Sequence, residues 1–167
     1  MLDIPSISAI AAAIGVLVGV VFTVLQLRDL VKTRQTDLIL RLQSDWRGRE
    51  LRESYVRVMN MKFKTYEEFA EKYPLWSEIE SADYRAVSEV GSFFDGVGIL
   101  LHRKLVDVEM VDELFGTRIK DAWEKLKPAI EGRRKEVNPV LRKWFEYLYN
   151  EIKQREDRLR QRGDKNG

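Results

Sequence analysis

The sequence predicts an all-α protein in which a single N-terminal transmembrane helix is continuous with a cytoplasmic helical bundle of about five helices. Three observations carry this. Residues 5–27, "PSISAIAAAIGVLVGVVFTVLQL", contain no charged side chain. Beyond them the apolar residues recur at spacings of three and four, with no strict alternation over a strand length. The whole chain is 44% hydrophobic and 34% charged, a balance that suits a folded domain rather than a disordered one.

The apolar run comes first. Its 23 residues would extend ~34 Å as a helix, enough to cross a hydrocarbon core of ~30 Å with some tilt. A soluble core helix seldom stays apolar on every face for six turns. A cleaved signal peptide begins with a positive region and carries an apolar core of only ~7–15 residues. This chain begins "MLDIPSIS", and Ala11-Ala12-Ala13 lies inside the run. An uncleaved anchor is therefore the expectation. Arg28, Lys32 and Arg34 follow the run, and Asp3 is the only charged side chain before it. The positive-inside rule then puts residues 1–4 outside the cell membrane, residues 5–27 in the bilayer and residues 28–160 in the cytoplasm. Ala11, Gly15, Gly19 and Thr23 form a stripe of small residues that would let two such helices approach. Gly and Ala are also common in membrane helices generally.

The elements after the run follow in order. Leu38, Leu42 and Trp46 extend the first helix until it falters near Gly48, and Leu51, Tyr55, Val58 and Met59 resume the pattern. "TYEEFAEKYP" reads as a short helix stopped by Pro74, and "LWSEIES" as a loop. Residues 81–105 carry the strongest signal: Tyr84, Val87, Gly91, Phe94, Gly98, Leu101 and Leu105 share one bundle face. Each glycine costs a helix about 1 kcal/mol against Ala, so Gly91 and Gly98 are expected where another helix crosses closely. "EVGSFFDGVG" is not a phosphate loop, because no strand precedes it and its glycines lie within a helical pattern. Asp107 should cap a helix that ends at Gly116, and Thr117 should cap the next, which shares Ile119, Trp123, Leu126 and Ile130 and is kinked or ended at Pro128. Asn138 and Pro139 read as the cap and first turn of a last helix, with Leu141, Trp144 or Phe145, Leu148, Ile152 and Leu159 on its face. Residues 161–167 are expected to be a disordered tail.

Chemistry is scarce. There are no cysteines, which removes disulfides, thiol nucleophiles and thiolate metal sites. The only histidine, His102, stands beside Arg103 and Lys104 as a helix-end residue. Glu67/Glu68, Glu78/Glu80 and Asp112/Glu113 read as solvated helix faces. No GxSxG elbow, Walker loop or dinucleotide fingerprint occurs. The expectation is no catalytic residue, no cofactor and no metal. The net charge of +2 makes no global case for nucleic acid. Two basic clusters remain: Arg133-Arg134-Lys135, and a tail containing Arg155, Arg158, Arg160 and Arg162. At an inner leaflet each such group near the surface contributes about 1 kcal/mol of attraction to anionic lipid. The competing reading is a solvated face of intrahelical ion pairs.

Several stretches resemble a family of small membrane-anchored proteins known only as a domain of unknown function, the one numbered 4760. They are "LRDLVKTRQTDLILRL" after the apolar run, "SFFDGVGILLHRKLVD", "ELFG" with "AWEKLKPAIEGRR", and "WFEYLY". The resemblance covers residues 25–149. It implies an architecture and a prokaryotic source, and no activity. Arg28, Asp29, Arg34, Asp95, Trp123 and Arg133 lie in these stretches as candidates for a polar network or contact face. The expected role is a membrane-anchored interaction or regulatory module, partnered by the bilayer and by itself or another protein. The alternatives are a small oligomeric channel or membrane-perturbing protein, which the scarcity of polar residues in the run argues against, and an enzyme with a carboxylate or Arg pocket between helices.

Overall fold

The computed structural model describes residues 4–73 and 81–164, with side chains from 14 to 73 and 81 to 163. The described residues form six helices and no strand: α1 (Ile4–Arg47), α2 (Arg49–Asn60), α3 (Tyr66–Lys72), α4 (Ala82–His102), α5 (Val108–Glu136) and α6 (Lys143–Asp164). The chain divides into two compact units between Asp37 and Leu38.

In the first unit, α1 over residues 14–27 is apolar and uncovered. Ile14, Val16, Leu17, Val18, Val20, Val21, Phe22, Val24, Leu25 and Leu27 are all exposed. The most apolar window averages a hydropathy of 1.9, and none of it is buried. A core helix of a soluble protein passes the same length and composition test but is mostly buried, and a signal sequence near the N-terminus passes it too. The Thr23 hydroxyl donates to the Gly19 carbonyl (2.8 Å), so this polar group is satisfied within the helix. Ala11 and Asp3 of the expected stripe and flank lie outside the described side chains.

The second unit has a core drawn from every helix. Trp46, at the end of α1, meets Tyr55 of α2, Phe93 and Phe94 of α4 and Phe115 of α5 at centroid distances of 5.1–6.1 Å. Val90, Phe94, Val97, Phe115, Ile119, Trp123, Leu126, Phe145, Leu148 and Ile152 are buried among α4, α5 and α6. Full burial of such a side chain contributes ~1.5–3 kcal/mol. The break at Gly48 separates α1 from α2, and Thr65 caps α3 by accepting the Glu68 N–H (3.3 Å). Ser81 accepts the Tyr84 N–H (3.0 Å) and so caps α4, at the position where the helical pattern was expected to begin. Pro74 and the rest of that loop lie outside the described residues.

Several boundaries differ from expectation. α5 is one helix that runs through both Gly116 and Pro128. Gly116 is buried there; a side chain on it would collide with the Asp112 carboxylate, which is engaged with Arg155. The glycine answers to crowding rather than to a chain reversal, and Thr117 caps nothing. At Pro128 a lost backbone bond costs ~3 kcal/mol, but Leu126, Ala129 and Ile130 on either side are buried and hold the helix in place. α6 begins at Lys143 rather than after Asn138: Asn138 accepts the Val140 N–H (3.1 Å) in a turn that precedes the helix. α6 also continues to Asp164, into the stretch expected to be a tail; residues 165–167 lie outside the described residues. Leu105 falls beyond the end of α4, and Leu159 lies past the core, so both are exposed instead of on their helix faces.

Candidate functional site

A polar arrangement lies where α4 meets the turn before α6. Ser88, Gly91, Ser92, Asp95 and Gly98 recur along α4 and face residues 142–145. Asp95 Oδ1 accepts two backbone N–H groups, Trp144 (3.0 Å) and Phe145 (2.9 Å). The unpaired donors of a helix start are thereby satisfied by a carboxylate from another helix, where negative charge also favours the helix dipole. Gly98 lies under the Trp144 carbonyl, and a Cβ there would collide with that backbone oxygen. His102, one turn on, lays its ring 4.4 Å from Trp144 and 5.4 Å from Tyr147.

Arg142 sits at the centre. Its φ of 55° is left-handed, uncommon for a residue with a side chain. Nη1 donates to Ser92 Oγ (2.9 Å) and Nη2 to the Ser88 carbonyl (3.1 Å). Gly91 makes this possible: a Cβ at that position would lie 2.7 Å from Arg142 Nε. Burial pushes the guanidinium pKa down, and Asp95 and Tyr84 act through space against that shift. Among the described residues Arg142 has no ion-pair partner.

Beside Arg142 opens a cleft of about 170 Å³ lined by Phe69, Tyr84, Val87, Ser88, Gly91, Leu126, Ala129, Ile130, Arg133, Leu141 and Arg142. The walls are mostly apolar, and no Asp or Glu is among these residues. Arg133 is 12% exposed and pairs with Glu136 (3.7 Å). Glu136 also accepts the Tyr66 hydroxyl, and burial, then that bond, raise the Tyr66 pKa.

The basic clusters separate. Arg134 is 18% exposed and clasps α6 through Glu146 (2.6 Å) and the Leu141 carbonyl (2.8 Å). With Arg133 also turned inward, only Lys135 of that cluster is exposed. Arg155 bridges to Asp112 (2.5 Å) and Glu109 (3.0 Å) on α5. Arg155 therefore serves the α5–α6 contact and is not free for lipid; Arg158, Arg160 and Arg162 are exposed. Arg28, Lys32 and Arg34 are exposed on α1, as is Asp29, whose carbonyl accepts the Thr33 hydroxyl (2.9 Å). Trp123 is buried in the core. A Cβ at Gly15 or Gly19 would meet nothing within 4 Å. An open groove of about 840 Å³ bears Arg47, Arg49, Arg52 and Arg57, of which Arg49 pairs with Glu53 and Arg57 with Asp83. No cluster of three metal-ligating side chains occurs among the described residues.

Arg142 and Ser88 carry no local signal of their contact, whereas Leu141 belongs to the apolar pattern. The glycine at 91, costly in a helix, is the one local trace of that contact.

The model of the family described as "Domain of unknown function (DUF4760)" matches residues 9–152. No curated protein and no solved structure matches the chain.

Proposed function

We propose that this chain, which belongs to the DUF4760 family, is a membrane-anchored helical interaction module. α1 holds it in the cell membrane with the N-terminus outside and the helical domain in the cytoplasm. The observation that carries this reading is the contrast within one chain. The apolar face of α1 over residues 14–27 is wholly uncovered, whereas the large aromatics of the second unit are buried. Exposed apolar surface of that extent calls for a lipid or protein partner. The charged flank Arg28, Lys32 and Arg34 supports the sidedness. The partner is a second copy, through the open Gly15–Gly19 face, or another membrane or cytoplasmic protein.

The test is carbonate extraction and protease protection on intact cells, with mass spectrometry of the mature N-terminus. The proposal expects an uncleaved chain retained in the membrane, an accessible N-terminus and a protected helical domain. Removal of the apolar run, as from a signal sequence, overturns the anchor; the reverse protection pattern overturns the orientation.

A further inference from the structure

We propose that the cleft between α3, α4, α5 and the turn into α6 binds a small organic monocarboxylate, its apolar body against Val87, Leu126 and Ile130 and its carboxylate on Arg142. The argument begins with charge. Arg142 is partly withdrawn from water, and a cation so placed is favoured by an anionic partner. Arg142 donates to two neutral oxygens, of Ser92 and Ser88, and has no ion-pair partner among the described residues. Asp95 acts on the guanidinium only through space, and its Oδ1 accepts the N–H groups at the start of α6. The cleft lining also includes Arg133, which pairs with Glu136 (3.7 Å), and no Asp or Glu is among the lining residues.

Shape and chemistry then select the ligand class. A volume of about 170 Å³ lies below the ~300 Å³ at which pockets for drug-sized ligands begin, so a peptide or a long acyl chain does not fit inside. Phosphate would shed its hydration against mostly apolar walls. A carboxylate matches the guanidinium fork, and a short apolar body matches the walls. The left-handed backbone at Arg142 and the missing Cβ at Gly91 hold the guanidinium at the cleft wall.

The experiment uses the full chain in neutral phosphatidylcholine nanodiscs, titrated by calorimetry and followed by thermal melting. The probes are hexanoate, benzoate, hexanol, inorganic phosphate and palmitate. Hexanoate or benzoate should bind saturably and raise the melting temperature, as any ligand selective for the folded state does. Hexanol, which keeps the body and lacks the charge, and phosphate, which has charge without the body, should each bind at least about tenfold more weakly, the scale of one charge-assisted contact. Arg142→Gln should lose hexanoate binding by a similar factor. Val87→Phe, which fills the cleft and leaves the cation in place, should lose it too, and it decides the matter where Arg142→Gln does not melt cooperatively. Equal binding of hexanoate and hexanol, binding of phosphate or palmitate alone, or wild-type affinity in a cooperatively melting Val87→Phe protein would each overturn the proposal.

Discussion

Asp95 on α4 caps α6: one carboxylate oxygen accepts the N–H groups of Trp144 and Phe145, the latter 50 positions further along the chain. Loss of an N-cap costs about 1–2 kcal/mol. Asp95→Ala should therefore lower the stability of the full chain in detergent by that amount, and Asp95→Asn, which keeps an acceptor, by less. Chemical denaturation followed by circular dichroism measures both. Equal losses would show that charge, not hydrogen bonding, is what α6 needs.

The glycines of α4 should respond in opposite directions. At Gly98 an added methyl strikes the Trp144 backbone, which cannot rotate away, and overpacking costs about 1–3 kcal/mol. At Gly96 nothing lies within 4 Å of a Cβ, and the helix gains up to about 1 kcal/mol from Ala. Gly98→Ala should lower and Gly96→Ala should raise the denaturation midpoint.

Acid should loosen the α5–α6 contact. The bond from Lys120 holds the Glu156 carboxyl below its ordinary 4.5. A carboxylate whose folded pKa is depressed stabilises the fold above its unfolded pKa. That contribution fades as the pH drops below about 4.5 and is gone once the pH has passed the lowered folded value. Glu156→Gln should cost up to about 1 kcal/mol at pH 7 and flatten the acid limb of stability against pH.

The arginines of α6 should divide into two classes. Arg155→Gln breaks the bridges to Asp112 and Glu109 and should lower the melting temperature. Arg158→Gln, Arg160→Gln and Arg162→Gln together should leave the melting temperature unchanged and weaken association with anionic liposomes, an effect that added salt should mimic. Unchanged liposome binding would restrict these residues to a solvated face.

Self-association should depend on the open face of α1. Gly15→Ile with Gly19→Ile blocks close approach of two helices and should reduce crosslinked dimer in native membranes without changing membrane retention. Persistent dimer would place self-contact elsewhere.

Local pattern made much of this protein legible. The uncharged run, its basic flank and the spacing of Phe94, Leu101, Ile119, Trp123, Leu148 and Ile152 are properties of neighbouring residues, and they specify an apolar helix followed by amphipathic ones. The glycines at 91 and 98 were legible as a cost without a stated beneficiary. The beneficiaries, Arg142 and the Trp144 backbone, belong to a distant segment. The same distance explains the misplaced ends. Gly116 carries a local signal to stop a helix, but the burial of its neighbours Phe115 and Ile119 outweighs that signal. Asn138 carries a local signal to start one, but the cap that α6 uses is Asp95. The sequence by itself determined which segments are helical and which faces are apolar, because propensity and periodicity act within a few residues. Only the tertiary structure decided that α5 runs on through Gly116, that α6 starts at Lys143 under Asp95 and which cations are partly buried, because those depend on groups that long-range packing brings together.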